Sequence, residues 1–198
     1  FGAMAVTTLQ GCMSVTFASG ANASKSTADR RSAETIADDE SIEWKACSRI
    51  RTKLGESSHV NCKAFNYKVL LTGEVPAQGA KDDAEAIVVS IPKVQKVHNY
   101  LTVGPVSSIG SRNVDALLTA NAKMLGKDQG KLNKVHVQLV TEDAVIYMMG
   151  IVSQPEANAA TDITRTTNKV KRVMPLMEII SEADAKKLDD EHAALKAL

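Results

Sequence analysis

The chain repeats itself. Val69-Leu70-Leu71-Thr72-Gly73-Glu74-Val75 recurs in pattern as Ile146-Tyr147-Met148-Met149-Gly150-Ile151-Val152: an apolar run, a glycine, then one more strand step ending in valine. The two glycines lie 77 residues apart, and Lys93-Val94-Gln95-Lys96-Val97 returns 76 residues later as Lys169-Val170-Lys171-Arg172-Val173. Two independent blocks at nearly one offset point to two copies of one supersecondary unit. Each copy has only about 65 residues, so packing between them is expected to supplement a modest core.

Before each block runs a helical stretch ending in Leu-Gly, at Leu54-Gly55 and Leu125-Gly126, where glycine suits a left-handed C-cap. In the first copy Cys47, Ile50 and Leu54 fall at helical spacing, and Val60–Asn66 with Lys68–Val75 reads as two strands joined by a tight polar turn. Ala77–Ser90 reads as a helix, and Val94, Val97 and Leu101–Val103 as the last strand. In the second copy Val114, Leu118 and Leu125 form the apolar stripe of the helix, Val135–Leu139 alternates as a strand, Glu142-Asp143 makes the turn, and Pro155–Thr167 is the return helix, opening on proline. Each unit thus reads helix, strand, strand, helix, strand. The crossover makes the second and third strands parallel while the hairpin is antiparallel, so the expected class is α+β, with a three-stranded mixed sheet in each unit and helices on one face.

The first twelve residues, FGAMAVTTLQGC, carry no charge and end in Leu9-Gln10-Gly11-Cys12. This resembles a bacterial lipobox, in which a thiol carries a diacylglyceryl group and the small residue before it gives the peptidase access. Residues 1–12 are therefore read as a truncated lipoprotein signal peptide with Cys12 as the lipid-attachment residue; the alternative is a short buried apolar strand with a chance cysteine. Each buried methylene contributes about 0.8 kcal/mol, so several acyl chains on Cys12 would hold the protein at a membrane. Residues 13–37, rich in Ser, Ala, Thr and Asn, read as a flexible tether. Folding is expected from Asp38-Asp39-Glu40-Ser41, a cluster suited to a helix N-terminus.

In order, repetition and the preceding lipobox, these residues resemble the BON-domain family, specifically its dual-BON outer-membrane lipoproteins. The resemblance spans residues 30–180. It is carried by Asp29-Arg30-Arg31-Ser32 leading to Asp38-Asp39, by Lys68-Val69-Leu70-Leu71-Thr72-Gly73, by Val97-His98-Asn99-Tyr100, and by Met148-Met149-Gly150 with Val170-Lys171-Arg172-Val173. Glu34 and Ile36 depart from the family's pattern, where Gly and Gln are usual. The domain expectation is a first BON domain at 38–103, a linker at 104–112, a second BON domain at 113–180, and an amphipathic helix or tail at 181–198.

The resemblance implies a lipid-anchored protein of the outer membrane, facing the periplasm, that supports envelope integrity by binding anionic phospholipid through the first helix of the second domain. Local charge agrees in direction. Residues 38–103 hold nine basic and nine acidic side chains, whereas residues 104–180 hold nine and seven. Lys123, Lys127, Lys131 and Lys134 cluster near one helix end, and Leu117, Ala120 and Met124 lie on the shoulder of the buried stripe. The expected phospholipid-binding residues are therefore Leu117, Ala120, Lys123, Met124 and Lys127. The same residues also suit a wide core face with a solvated lysine rim, and the alternative role is a scaffold that docks division or outer-membrane assembly proteins.

With 24 basic against 23 acidic side chains and 4% aromatics, the chain lacks both the positive field and the stacking rings of a nucleic-acid binder. No nucleotide loop, nucleophile elbow or paired-carboxylate motif is visible, so neither an enzyme nor a cofactor is expected. His59, His98, His136 and His192 lack metal-ligand spacing, and no metal is expected. Cys47 and Cys62 lie on the core sides of the first helix and first strand and are candidates for a disulfide in an oxidising compartment, or for two buried thiols.

Overall fold

The computed structural model describes residues 29–128 and 137–196. Cys12, His136, Lys131 and Lys134 lie outside the described residues.

The first unit comprises α1 (Ala33–Leu54), β1 (His59–Phe65), β2 (Lys68–Val75), α2 (Gln78–Val89), β3 (Lys96–Asn99) and β4 (Thr102–Val103). The second repeats it with α3 (Ile109–Asp128), β5 (Val137–Glu142), β6 (Val145–Ser153), α4 (Gln154–Arg165), β7 (Arg172–Pro175) and β8 (Glu178–Ile180), and α5 (Glu182–Lys196) follows. β1 and β2 are antiparallel, while β3 and β4 both run parallel to β2. β5 and β6 are likewise antiparallel, with β7 and β8 parallel to β6. The third position of each mixed sheet is thus filled by two short strands in succession. Between them Tyr100 N–H reaches Leu71 O at 2.9 Å, and Leu176 N–H reaches Met148 O at 2.8 Å.

Strand alternation divides each sheet between two cores. Val69, Leu71 and Val75 of β2 face α1 and α2, where they meet Ile42, Ala46, Ile50, Ala84 and Val88. Ile146, Met148 and Val152 of β6 likewise meet Ala122, Ala157 and Ala160. The helix-free faces close on one another: Phe65 and Leu70 of the first unit form one buried cluster with Tyr147, Met149 and Ile151 of the second. Tyr100 packs against Tyr147 across this junction, the two rings tilted by 49° with centroids 5.0 Å apart. Leu188 of α5 packs against the same cluster. Both faces of β2 and β6 are therefore buried, which is why their apolar runs are continuous.

Several local expectations need correction. The tether expected at 13–37 ends sooner, because Ser32 caps α1 by accepting Thr35 N–H on its hydroxyl at 3.1 Å. Arg30 and Arg31 are already buried. Asp38 and Asp39 consequently lie inside the helix instead of at its start. Gly55 does end α1 with φ of 67°, but α3 runs past Gly126 to Asp128, so Gly126 caps nothing. Val94 precedes β3 and lies outside the strand. The second hairpin turns on Asp143-Ala144, both at positive φ like Asn66-Tyr67 in the first, which leaves Glu142 as the last residue of β5. The return helix begins at Gln154, because Ser153 and Glu156 form a capping box.

Two arginines, adjacent in sequence, divide between the units. Arg30 donates to both oxygens of Glu156 at 2.8 and 2.9 Å, to both oxygens of Asp189 at 2.9 Å, and to Ile151 O at 3.0 Å, all in the second unit or α5. Arg31 bonds Asp39 of α1 at 2.7 Å and lies 4.0 Å over the Phe65 ring.

Candidate membrane-binding surface

α3 begins where Ser108 accepts Ser111 N–H at 3.1 Å. Its buried stripe is Asp115, Leu118 and Ala122, with Leu125 half-buried. Val114, expected in that stripe, is instead 48% exposed. The reason is Asp115. Its carboxylate accepts the backbone N–H of Asp143 at 3.0 Å and of Ala144 at 2.8 Å, which rotates the inward face of the helix toward the hairpin turn.

That rotation leaves an apolar ridge pointing away from the core. Leu117 is 63% exposed and Met124 61%, with Val114 beside them and Ala120 exposed between. At 100° per residue Leu117 and Met124 share one line along the helix, and Lys123 and Lys127 flank it on a single side. Both lysines are exposed. Ile109, 71% exposed, lengthens the apolar surface at the N-terminal turn. All five residues expected from the sequence therefore lie on the exposed side of one helix.

The first unit presents a different surface at equivalent places. Asp39 matches Asp115, since it accepts Asn66 N–H at 2.7 Å and Tyr67 N–H at 2.9 Å from its own hairpin turn. With these two residues superposed, Ser41 and Ser48 fall where Leu117 and Met124 stand, and Trp44 where Ala120 stands. The paired aspartates escaped the sequence analysis, although their 76-residue spacing matches the repeat.

Two further groupings assemble away from α3. The thiols of Cys47 and Cys62 meet between α1 and β1; contact with Cys47, together with burial, pushes the Cys62 thiol far up. At the junction of the units, one ligand atom each from His59, Glu74 and Glu142 lies within 4.8 Å of the others. Burial, reinforced by Arg112, holds the His59 imidazole below its ordinary value, and burial raises the Glu142 carboxyl. Sequence spacing could not show this group, because its members come from both units. No helix among the described residues is long and apolar enough to cross a membrane.

The model of the BON domain family matches residues 38–105 and again 115–181. The outer membrane lipoprotein DolP of Haemophilus influenzae is 32% identical over 174 residues, covering 87% of this chain and 90% of that one. A 21 kDa hemolysin of Actinobacillus pleuropneumoniae is 26% identical over 154 residues, covering 77% and 79%. Among solved structures, CdsD, a structural protein of the type III secretion system of Chlamydia trachomatis, aligns with a TM-score of 0.29 at 9% identity, over 78% of this chain and 97% of that one. That likeness is too distant to bear on function.

Proposed function

The chain belongs to the BON-domain family, of which it carries two tandem copies, and on that premise we propose that it is an outer-membrane lipoprotein, anchored through Cys12, whose second BON domain rests α3 on anionic phospholipid and so supports envelope integrity. The observation that carries the reading is the exposed Leu117–Met124 ridge with lysines on one flank, set against serines at the matching places of the first domain. A large apolar side chain contributes about 1.5–3 kcal/mol on full burial, and a lysine beside an anionic surface about 1 kcal/mol. The ridge alone is thus a weak binder. A lipid anchor on the same chain compensates by raising the effective concentration of membrane at the helix.

Neither named relative is described as an enzyme, and the reading assigns no chemistry to this chain. The test is flotation of the unlipidated Cys12→Ser chain with vesicles of graded phosphatidylglycerol content. Recovery in the floating fraction rises with anionic lipid under this reading. Recovery that is absent, or indifferent to lipid charge, refutes it. In cells the same substitution releases the protein from the outer-membrane fraction.

A further inference from the structure

Where the two hairpins face each other, four polar side chains are enclosed. His59 and Glu74 are cross-strand partners in β1 and β2. Thr72 is on the same face of β2 as Glu74, and Glu142 ends β5 of the other domain. Gly73 makes the approach possible: a Cβ there would sit 2.0 Å from the His59 carbonyl oxygen, so only glycine lets β1 close on β2 at this point.

These groups are poorly matched to one another by hydrogen bonding. His59 Nδ1 lies 3.4 Å from Glu74 Oε2, yet neither it nor the hydroxyl of Thr72, which is 1% exposed and next to Glu142, has a hydrogen-bond partner among the described residues. Among the described residues Glu142 receives the neutral amide of Asn61, at 2.8 Å, with the Thr72 hydroxyl close by, and Glu74 receives the backbone N–H of Ser107, at 3.1 Å, with the His59 imidazole 3.4 Å away. Arg112 is the basic side chain nearby, and its guanidinium is engaged with the carbonyl and hydroxyl oxygens of Ser107. Two carboxylates enclosed with neutral donors would be stabilised in their charged form by a further positive charge.

We propose that this junction binds one divalent cation of the zinc class, with Nδ1 of His59 and one carboxylate oxygen each from Glu74 and Glu142 as its protein ligands. The ligand atoms have the right separations. A tetrahedral centre with bonds of ~2.0–2.1 Å has ligands about 3.4 Å apart, which is the His59–Glu74 separation, and all the ligand atoms of the group lie within 4.8 Å of one another. An imidazole among the ligands favours zinc over calcium, which takes 6–8 oxygens. Because the ligands come from both domains, the ion also fixes the angle at which the two sheets meet.

Chelator-treated full chain, titrated calorimetrically with zinc chloride, is expected to take up one equivalent, and cobalt(II) in its place to give the visible absorption of a tetrahedral centre. His59→Ala and Glu142→Gln should each weaken zinc binding at least tenfold and abolish the rise in melting temperature that zinc confers. Glu142→Gln preserves side-chain volume and the contact with Asn61, so it carries the test should His59→Ala fail to fold. No uptake by the parent chain, or uptake that folded Glu142→Gln weakens less than tenfold, overturns the proposal.

Discussion

Asp39 and Asp115, 76 residues apart, do one job twice: each sends its carboxylate from the first helix of its domain to the two backbone N–H groups of that domain's hairpin turn, at 2.7 and 2.9 Å in one case and 3.0 and 2.8 Å in the other. Both turns hold two residues at positive φ, at Asn66-Tyr67 and Asp143-Ala144, none of them glycine. The carboxylates offset strain that glycine would otherwise relieve.

Removing either carboxylate strands two amides, at about 1–3 kcal/mol for each group left unsatisfied. Asp115→Ala should therefore lower stability by roughly 2 kcal/mol. Asp39→Ala should cost more, about 3–5 kcal/mol, because it also leaves buried Arg31 without one of its carboxylates. Urea denaturation measures both. Equal losses would contradict the added contribution of Arg31, and a loss at Asp115 no larger than at an exposed helix position would contradict the shared role.

Lipid binding should transfer with the ridge. Leu117→Ser with Met124→Ser, which installs the first domain's residues, should lower vesicle recovery severalfold at any salt concentration. Lys123→Glu with Lys127→Glu should lower it strongly at low salt and little at high salt, since exposed charges are screened over ~8 Å near physiological ionic strength. Charge reversal at Lys45 and Arg49 of the first domain should leave recovery unchanged. Flotation across a salt series separates these outcomes, and equal loss from either domain would misplace the surface.

Acid should loosen the domain junction. Burial acts to raise the carboxyl pKa of Glu178, but Lys68 and Asn66, both across the junction, outweigh it and hold the group below its ordinary value of 4.5; Glu156 is similarly depressed, against burial, by Arg30 and the Ser153 N–H. A depressed folded-state pKa contributes stability that is complete above the unfolded value and fades as pH falls through the folded one. Melting temperature should thus decline below about pH 4.5. Glu178→Gln should make that decline shallower. An unchanged acid limb would show that Lys68 and Glu178 are not coupled in solution.

Cys47 and Cys62 are expected to oxidise in an exported chain. Treatment with glutathione disulfide should join the two sulfurs, pass both thiol hydrogens to two glutathiones, and lower the intact mass by two hydrogens. The enclosed loop is worth about 3 kcal/mol for ~15 residues. A mass that does not change, or a Cys62→Ala variant as stable under oxidising conditions as the parent, would count against the bond.

The repeat, both hairpins and the mixed pairing were legible, the hairpins from local periodicity and the pairing from the crossover that each repeat implies. The orientation of α3 was not. Val114 reads as apolar and therefore inward, yet a single aspartate beside it turned the helix toward the hairpin, and the resulting exposure of Leu117 and Met124 follows from a polar contact invisible to hydropathy. Arg30 was hidden for another reason: its partners lie 121 to 159 residues away, beyond any window of sequence spacing. The meeting of the two sheets did leave a trace, since Val69–Leu71 and Val145–Met149 are unbroken apolar runs where a sheet open to water on one side would alternate.

Arg30 and Arg31 stand at the point where any pull on the N-terminal segment enters the folded protein. One peptide bond separates a residue gripped by Glu156, Asp189 and Ile151 from one gripped by Asp39 and laid over Phe65. Tension along the chain therefore meets contacts to both domains before it reaches the first turn of α1. Under the anchoring proposed through Cys12, a load on the chain before Arg30 would be passed to both domains together instead of to the first alone.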